Sequence, residues 1–222
     1  MLFRSPHWLA ELAAEVKPST AAASKLVFAD DAAALNSGGL QLLRDGRGFD
    51  RGFRTRDIGQ FEHARVAFAA CGAALVIDRK LIGNNLFEPQ YFMYYEDLDA
   101  AWRRQLAGRT MAYASRSLVR HVHGGSMTYE SAMFRFHVER NRTLTSIRNG
   151  DPFLAGWSMI GQTARLMRSV VRSIRGKESW TLTFASVRAL VSLTRHLPAA
   201  LVARYFIRQD SFRERSEEHT SE

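Results

Sequence analysis

Apolar side chains along this chain recur with two periods, and the periods alternate. In "PHWLAELAAEV" (6–16) Trp8, Leu9, Leu12 and Val16 fall at helical spacing, which predicts a short amphipathic helix ended by Pro18. "SKLVF" (24–28) and "GLQLL" (39–43) are strand candidates, and the Gly- and Arg-rich stretch from Asp45 to Gln60 predicts a loop. "VAFAACGAALVI" (66–77) is an unbroken run of small and apolar residues, the signature of a buried strand, with Gly72 where a neighbour approaches closely. Leu98, Trp102 and Leu106 then mark one face of a helix that Gly108 stops. "TMAYA" (110–114) predicts a strand running on into "LVRHVHGGS", and a long helix follows from about Glu130 to Arg148. Strands alternating with helices predict an α/β layer fold.

Past Asp151 the pattern changes to helix only. Ile160, Ala164, Met167, Val171 and Ile174 share one face, with Arg165, Arg168, Arg172 and Arg175 beside it. Such a basic amphipathic helix fits a membrane surface, and it fits equally a solvated helix packed on the domain.

Charge sharpens this division. The 222 residues carry 31 Lys and Arg against 22 Asp and Glu, a formal +9. Residues 151–214 alone hold ten Lys or Arg and four Asp or Glu. The apolar content of 46% is enough for a real core. Cys71 is the only cysteine, so no internal disulfide forms and a reducing compartment is expected. No apolar run is long enough for a transmembrane helix, and the N-terminus lacks the pattern of a signal peptide.

Against the basic background stands "FMYYEDLDAAWR" (92–103), where Glu96, Asp97 and Asp99 crowd a helix start. Acids there are favoured by the macrodipole, and Asp99 with Arg103 makes an ordinary i,i+4 pair. Three neighbours argue for more than surface charge. The aromatic run before the acids suits a pocket wall. Trp102 and Arg103 offer a flat face and a fixed cation suited to sugars and phosphates. The next strand ends in the His-rich turn "RHVHGGS".

Taken in order, "ACGAALVIDRKLIG", "FMYYEDLDAAWRRQLAG", "RHVHGGS" and "ERNR" resemble the second half of family 2 inverting glycosyltransferases, especially the bacterial rhamnosyltransferase-like branch. The resemblance runs from about Pro6 to Asn149, and more loosely beyond. It implies the C-terminal half of a GT-A (Rossmann-like) domain over residues 6–150, followed by an α-helical basic tail over 151–214. It also implies that Asp97 is the general base, taking a proton from an acceptor hydroxyl as that oxygen attacks the anomeric carbon. Glu96 would orient the site, and Asp99 would serve the structure through Arg103. Cys71, Gly72 and Ala73 would line the acceptor side, with Trp102, Arg103, Arg140 and Asn141 as further substrate-binding positions; a structural role for the Arg140-Asn141 pair is equally compatible. A divalent cation, Mg or Mn, would hold the departing diphosphate, with His121 as an auxiliary ligand five residues before Ser126 and His123 as the fallback. Cys71 has no partner base and is not read as a nucleophile.

The same resemblance implies a nucleotide-diphosphate sugar as donor, with rhamnose as the branch's example. The acceptor would be a saccharide or a lipid-linked one in polysaccharide or cell-wall biosynthesis, and the location peripheral, at the cytoplasmic face of the cell membrane. The nucleotide half and its D-x-D motif would precede Pro6, and "FADD" (28–31) lacks the spacer to replace it. Residues 1–5 and 215–222 resemble translated sequencing-adapter DNA and are set aside as scars. A fragment of this kind is expected to be inactive alone and poorly soluble, with a bare sheet edge. The competing expectation is a non-catalytic basic module for membrane or nucleic acid; dispersed arginines and the lack of a nucleic-acid motif argue against nucleic acid. A glycoside hydrolase using Glu96 and Asp97 is disfavoured, because adjacent residues are expected to point apart.

Overall fold

The computed structural model describes residues 2–16, 21–78, 86–124 and 131–220. It is an α/β fold with a mixed sheet. Two long strands, β2 (Ala21–Phe28) and β8 (Met111–His121), run parallel at its centre. Their outer edges are each covered by two short antiparallel strands. β1 (Leu2–Arg4) and β6 (Val66–Ala67) flank β8, whereas β3 (Leu35–Ser37) and β7 (Leu75–Ile77) flank β2. Leu2–Arg4, set aside above, thus pair with the end of β8. β4 (Leu40–Leu42), within the strand candidate 39–43, pairs in a separate hairpin with β5 (Gly48–Asp50), which lies inside the stretch expected to be a loop.

Small residues let the centre pack closely. Ala21, Ala22 and Ala23 of β2 are fully buried, and Leu12 of α1 (Trp8–Ala14) seals against Ala22 and Ala114. The run 66–77 is not one strand. It breaks at Cys71–Ala74, where the Ala74 N–H donates to the Cys71 carbonyl at 3.2 Å, and its two ends pair with different strands. A chain of Ala, Cys and Gly has no bulky side chain to oppose that turn, and apolar continuity alone could not reveal it. Pro18 and Ser126 lie outside the described residues.

α2 (Glu96–Leu106) closes the layer and stops at Gly108, whose φ of 84° only glycine adopts freely. α3 (Ala132–Asn149) starts on Ser131, whose hydroxyl accepts from the Phe134 N–H; α4 (Pro152–Ile174) starts on Asp151, which accepts from Leu154. α5 (Trp180–Thr220) returns along α3.

The helical part buries a mixed face, in which Ala185, Ala189 and Leu193 of α5 are sealed together with polar side chains. The buried face of α4 is Ser158, Gln162, Leu166, Ser169 and Ser173, and that of α5 includes Thr183 and Ser186. These meet through side-chain hydrogen bonds, with Thr183 Oγ1 lying 2.8 Å from the hydroxyls of both Ser169 and Ser173. The apolar face foreseen at Ile160, Met167, Val171 and Ile174 points outward, together with Trp157. α5 matches it with Trp180, Phe184, Val187 and Val191. Among the described residues no helix is long and apolar enough to cross a membrane.

Candidate active site

The acid cluster is presented by a strained loop. Phe92, Tyr94 and Tyr95 all have φ between 62° and 70°, a region costly for residues with a side chain. Arg140 and Asn141 of α3 hold this loop. The Asn141 amide nitrogen lies 3.0, 2.7 and 2.8 Å from the carbonyls of Tyr91, Met93 and Tyr94, and Arg140 Nη2 donates to those of Gln90 and Tyr91. Both side chains are buried, so their role here is to position the loop.

Tyr95 ends the loop, and α2 begins with Glu96 and Asp97. Asp97 Oδ2 accepts from the Gly72 N–H at 3.0 Å and Oδ1 from the Leu98 N–H at 2.7 Å. A methyl group built on Gly72 would stand 3.7 Å from Asp97 Oδ2 and 3.8 Å from Glu96 Oε1. The two carboxylates, expected to diverge, therefore converge beneath Gly72, the exposed residue of the otherwise half-buried Cys71-Gly72-Ala73 turn. Asp97 keeps some exposed surface although protein surrounds it closely.

Burial raises the pKa of Asp97, and the N–H groups of Gly72 and Leu98 oppose the rise by favouring the anion. Glu96 is pushed up to about 7, first by burial and then by the charge of Asp97. A third carboxylate joins them. Asp50, at the end of β5, is pushed up to about 6 by burial, with the Ser37 hydroxyl opposing and Asp97 adding to the rise. Glu96 Oε2 and Asp50 Oδ1 are buried without a hydrogen-bond partner. Burial thus pushes all three carboxyls toward holding protons nearer neutral pH, and Asp97 is the one that accepts from two backbone N–H groups.

Asp50 was not foreseen. It sits in "GRGFDRGF", where glycines and arginines mask a three-residue strand too short to show a period.

Asp99, one turn along, is a different kind of acid. It is fully buried and accepts from Tyr91 Oη at 3.0 Å, Arg103 Nε at 3.1 Å, Arg148 Nε at 3.0 Å and Asn149 Nδ2 at 2.7 Å. It ties α2 to α3. The structural role expected for it through Arg103 is present, and Arg148 is the larger partner that spacing could not suggest. Arg103 also donates to the Leu86 carbonyl, so its guanidinium serves the fold. Trp102 is buried, edge-on to Phe68, and presents no open face.

Burial, followed by the charges of Asp97 and Asp50, drives the Cys71 pKa far above its ordinary value, so the thiol stays protonated and is no nucleophile. His121 lies at the end of β8, its Nδ1 3.0 Å from Asn36 Oδ1 and its ring edge-on to His123. Burial lowers both histidine pKa values, leaving neutral imidazoles. Neutral imidazole suits a metal, yet among the described residues no group of three or more His, Cys, Asp or Glu is arranged to hold one. The described donors therefore do not make a complete cation site.

A small recess bounded by Ala70, Leu75, Ala101 and Met111 has Asp97 on its wall. A cleft of about 890 Å³ lies away from these acids among α3, α4 and α5. No family model matches the chain, and no curated protein matches it either.

Proposed function

We propose that the chain is the acceptor and base half of an inverting, nucleotide-sugar-dependent glycosyltransferase of GT-A type. The observation that carries this proposal is the placement of Asp97, a carboxylate that accepts from the Gly72 and Leu98 N–H groups with Glu96 converging beside it under Gly72. The acceptor hydroxyl enters under Gly72 and gives its proton to Asp97 as its oxygen attacks the anomeric carbon. The old bond to the diphosphate breaks on the opposite face, and its electron pair leaves with the phosphate oxygen. Glu96 and Asp50, each with an unmatched oxygen, orient the acceptor by donating or accepting at its hydroxyls. Base assistance of this type is worth about 10²–10⁴ in rate. Carboxyls that converge on one point suit a shared acceptor hydroxyl, not attack from both faces of a sugar ring. The donor half, with the Mg or Mn that stabilises the departing diphosphate, would be supplied from outside these residues, so this chain alone is expected to be inactive.

The outward apolar face of α4 and α5, edged with arginine, supports a site of work at a membrane surface, where a lipid-linked acceptor is found. It does not support nucleic acid, which asks for exposed cations instead of exposed aliphatics.

The test joins this chain to the coding sequence that precedes it in the genome and supplies nucleotide-diphosphate sugars with saccharide acceptors. Product with the anomeric configuration inverted, read by nuclear magnetic resonance, is expected. A retained configuration, or sugar release to water alone, rules the proposal out.

A further inference from the structure

The large cleft among α3, α4 and α5 has no part in the chemistry above, and its lining is unusual. Six cationic side chains, Arg135, Arg142, Arg165, Arg168, Arg172 and Lys177, face it against only Glu139 and Glu178. Arg135 and Arg172 are occupied by ion pairs to Glu178, and Arg165 donates to Gln162 at 2.9 Å. Arg142, Arg168 and Lys177 make no ion pair among the described residues. Arg142 lies in the field of Glu139, so the charge left in the cleft without an opposing partner among the described residues is chiefly that of Arg168 and Lys177.

Its position on the helices gives that charge a direction. At 100° per residue, Arg168 lies about a quarter-turn from the apolar line of Ile160, Met167, Val171 and Ile174, and Arg172 and Arg165 lie about 130° and 150° from it. They stand between that outward line and the buried face of Ser158, Gln162 and Ser169. With the apolar line at the depth of acyl chains, these arginines reach the phosphate level. Trp157 and Trp180, both exposed, mark the same level near the starts of the two helices. Lys177 sits in the turn between them.

We infer that the cleft is a headgroup site, which takes the phosphate of an anionic phospholipid while the outer faces of α4 and α5 rest in the bilayer surface. The inference depends on the membrane-surface proposal above and adds a specific ligand site to it. Arg168 and Lys177 hold the phosphate, and Arg172 and Arg165 close around it from their existing partners.

Flotation with vesicles of phosphatidylcholine, with and without phosphatidylglycerol, tests it on the full chain. The exposed pair Arg168→Ala/Lys177→Ala is expected to weaken binding to the anionic vesicles about thirty-fold, from roughly fivefold per near-surface cation. Arg56→Ala/Arg65→Ala, two exposed cations of the sheet layer, should leave binding unchanged. Equal losses in the two pairs would reduce the effect to net charge and overturn the site while sparing the membrane proposal. No binding of the unaltered chain to either vesicle would overturn both. Inorganic phosphate is the last arm. An affinity for it that depends on Arg168 and Lys177, without any dependence on vesicles, would assign the cleft to a soluble phosphate and refute the lipid assignment.

Discussion

The sheet layer and the helical tail expose different kinds of side chain, and the tail seals more small and polar ones. In the layer, Leu26, Leu35, Leu98 and Val119 are sealed from solvent, and the ionisable groups gather at its rim under Gly72. In the tail, serine, threonine and glutamine are sealed alongside Ala185, Ala189, Leu193 and Ala200, and Trp157, Ile160, Phe184 and Val191 stand outside. The first arrangement is a response to water on all sides. The second agrees with the proposal of work at a membrane surface, where an exposed apolar face would meet lipid. The change falls near Asp151, where the charge balance also shifts.

The two regions make different demands on the same kind of mutation. The largest stability effect is expected where they meet, at the ion cluster tying α2 to α3. Asp99→Ala leaves Arg148 buried without its main partner and should cost about 3–5 kcal/mol in urea unfolding. A cost below about 1 kcal/mol would mean that Arg148 finds another acceptor, with Glu88 at 3.0 Å as the candidate. Next come matched apolar positions. Leu26→Ala in the sheet should cost about 2–5 kcal/mol, whereas Ile160→Gln on the outer face of α4 should stay within about 0.5 kcal/mol and weaken vesicle binding instead. Similar costs at both positions would show that the outer face is packed in solution, by a second copy for example.

A smaller and opposite effect belongs to Asp50. Its folded pKa of about 6 lies above its ordinary value of 3.8, so the folded state binds its proton more tightly than the unfolded chain does. That contribution is complete below about pH 4 and is lost as pH rises through 6. Asp50→Asn should therefore raise stability by about 2–3 kcal/mol at pH 8 and by almost nothing at pH 4. Thermal melts at the two pH values check it; an equal shift at both would show that burial of the charge is not the cause.

Much of this was legible in the chain. The bounds of α2 follow from acids at one end and Gly108 at the other, and the helix expected from about Glu130 to Arg148 is α3 to within two residues at its start and one at its end. What the period could not tell was which side of a helix meets protein. Ile160, Met167, Val171 and Ile174 announce a face by spacing, but spacing is silent about what the face touches, and here Ser169 and Gln162 took the inside. The turn at Cys71–Ala74 was hidden by its own apolar composition. The Arg140-Asn141 pair was visible as a motif; its action on three carbonyls of a strained loop required the positive φ values of Phe92, Tyr94 and Tyr95, which no residue type there signals.

The central claim is that Asp97 takes the acceptor's proton. Single-turnover sugar transfer by the intact protein carrying Asp97→Asn tests it most directly, because the amide keeps the size of the side chain and one acceptor for the Gly72 N–H. A fall of about 10²–10⁴ in the transfer step, with donor binding unchanged, is the expected result. Transfer at the unaltered rate would contradict it.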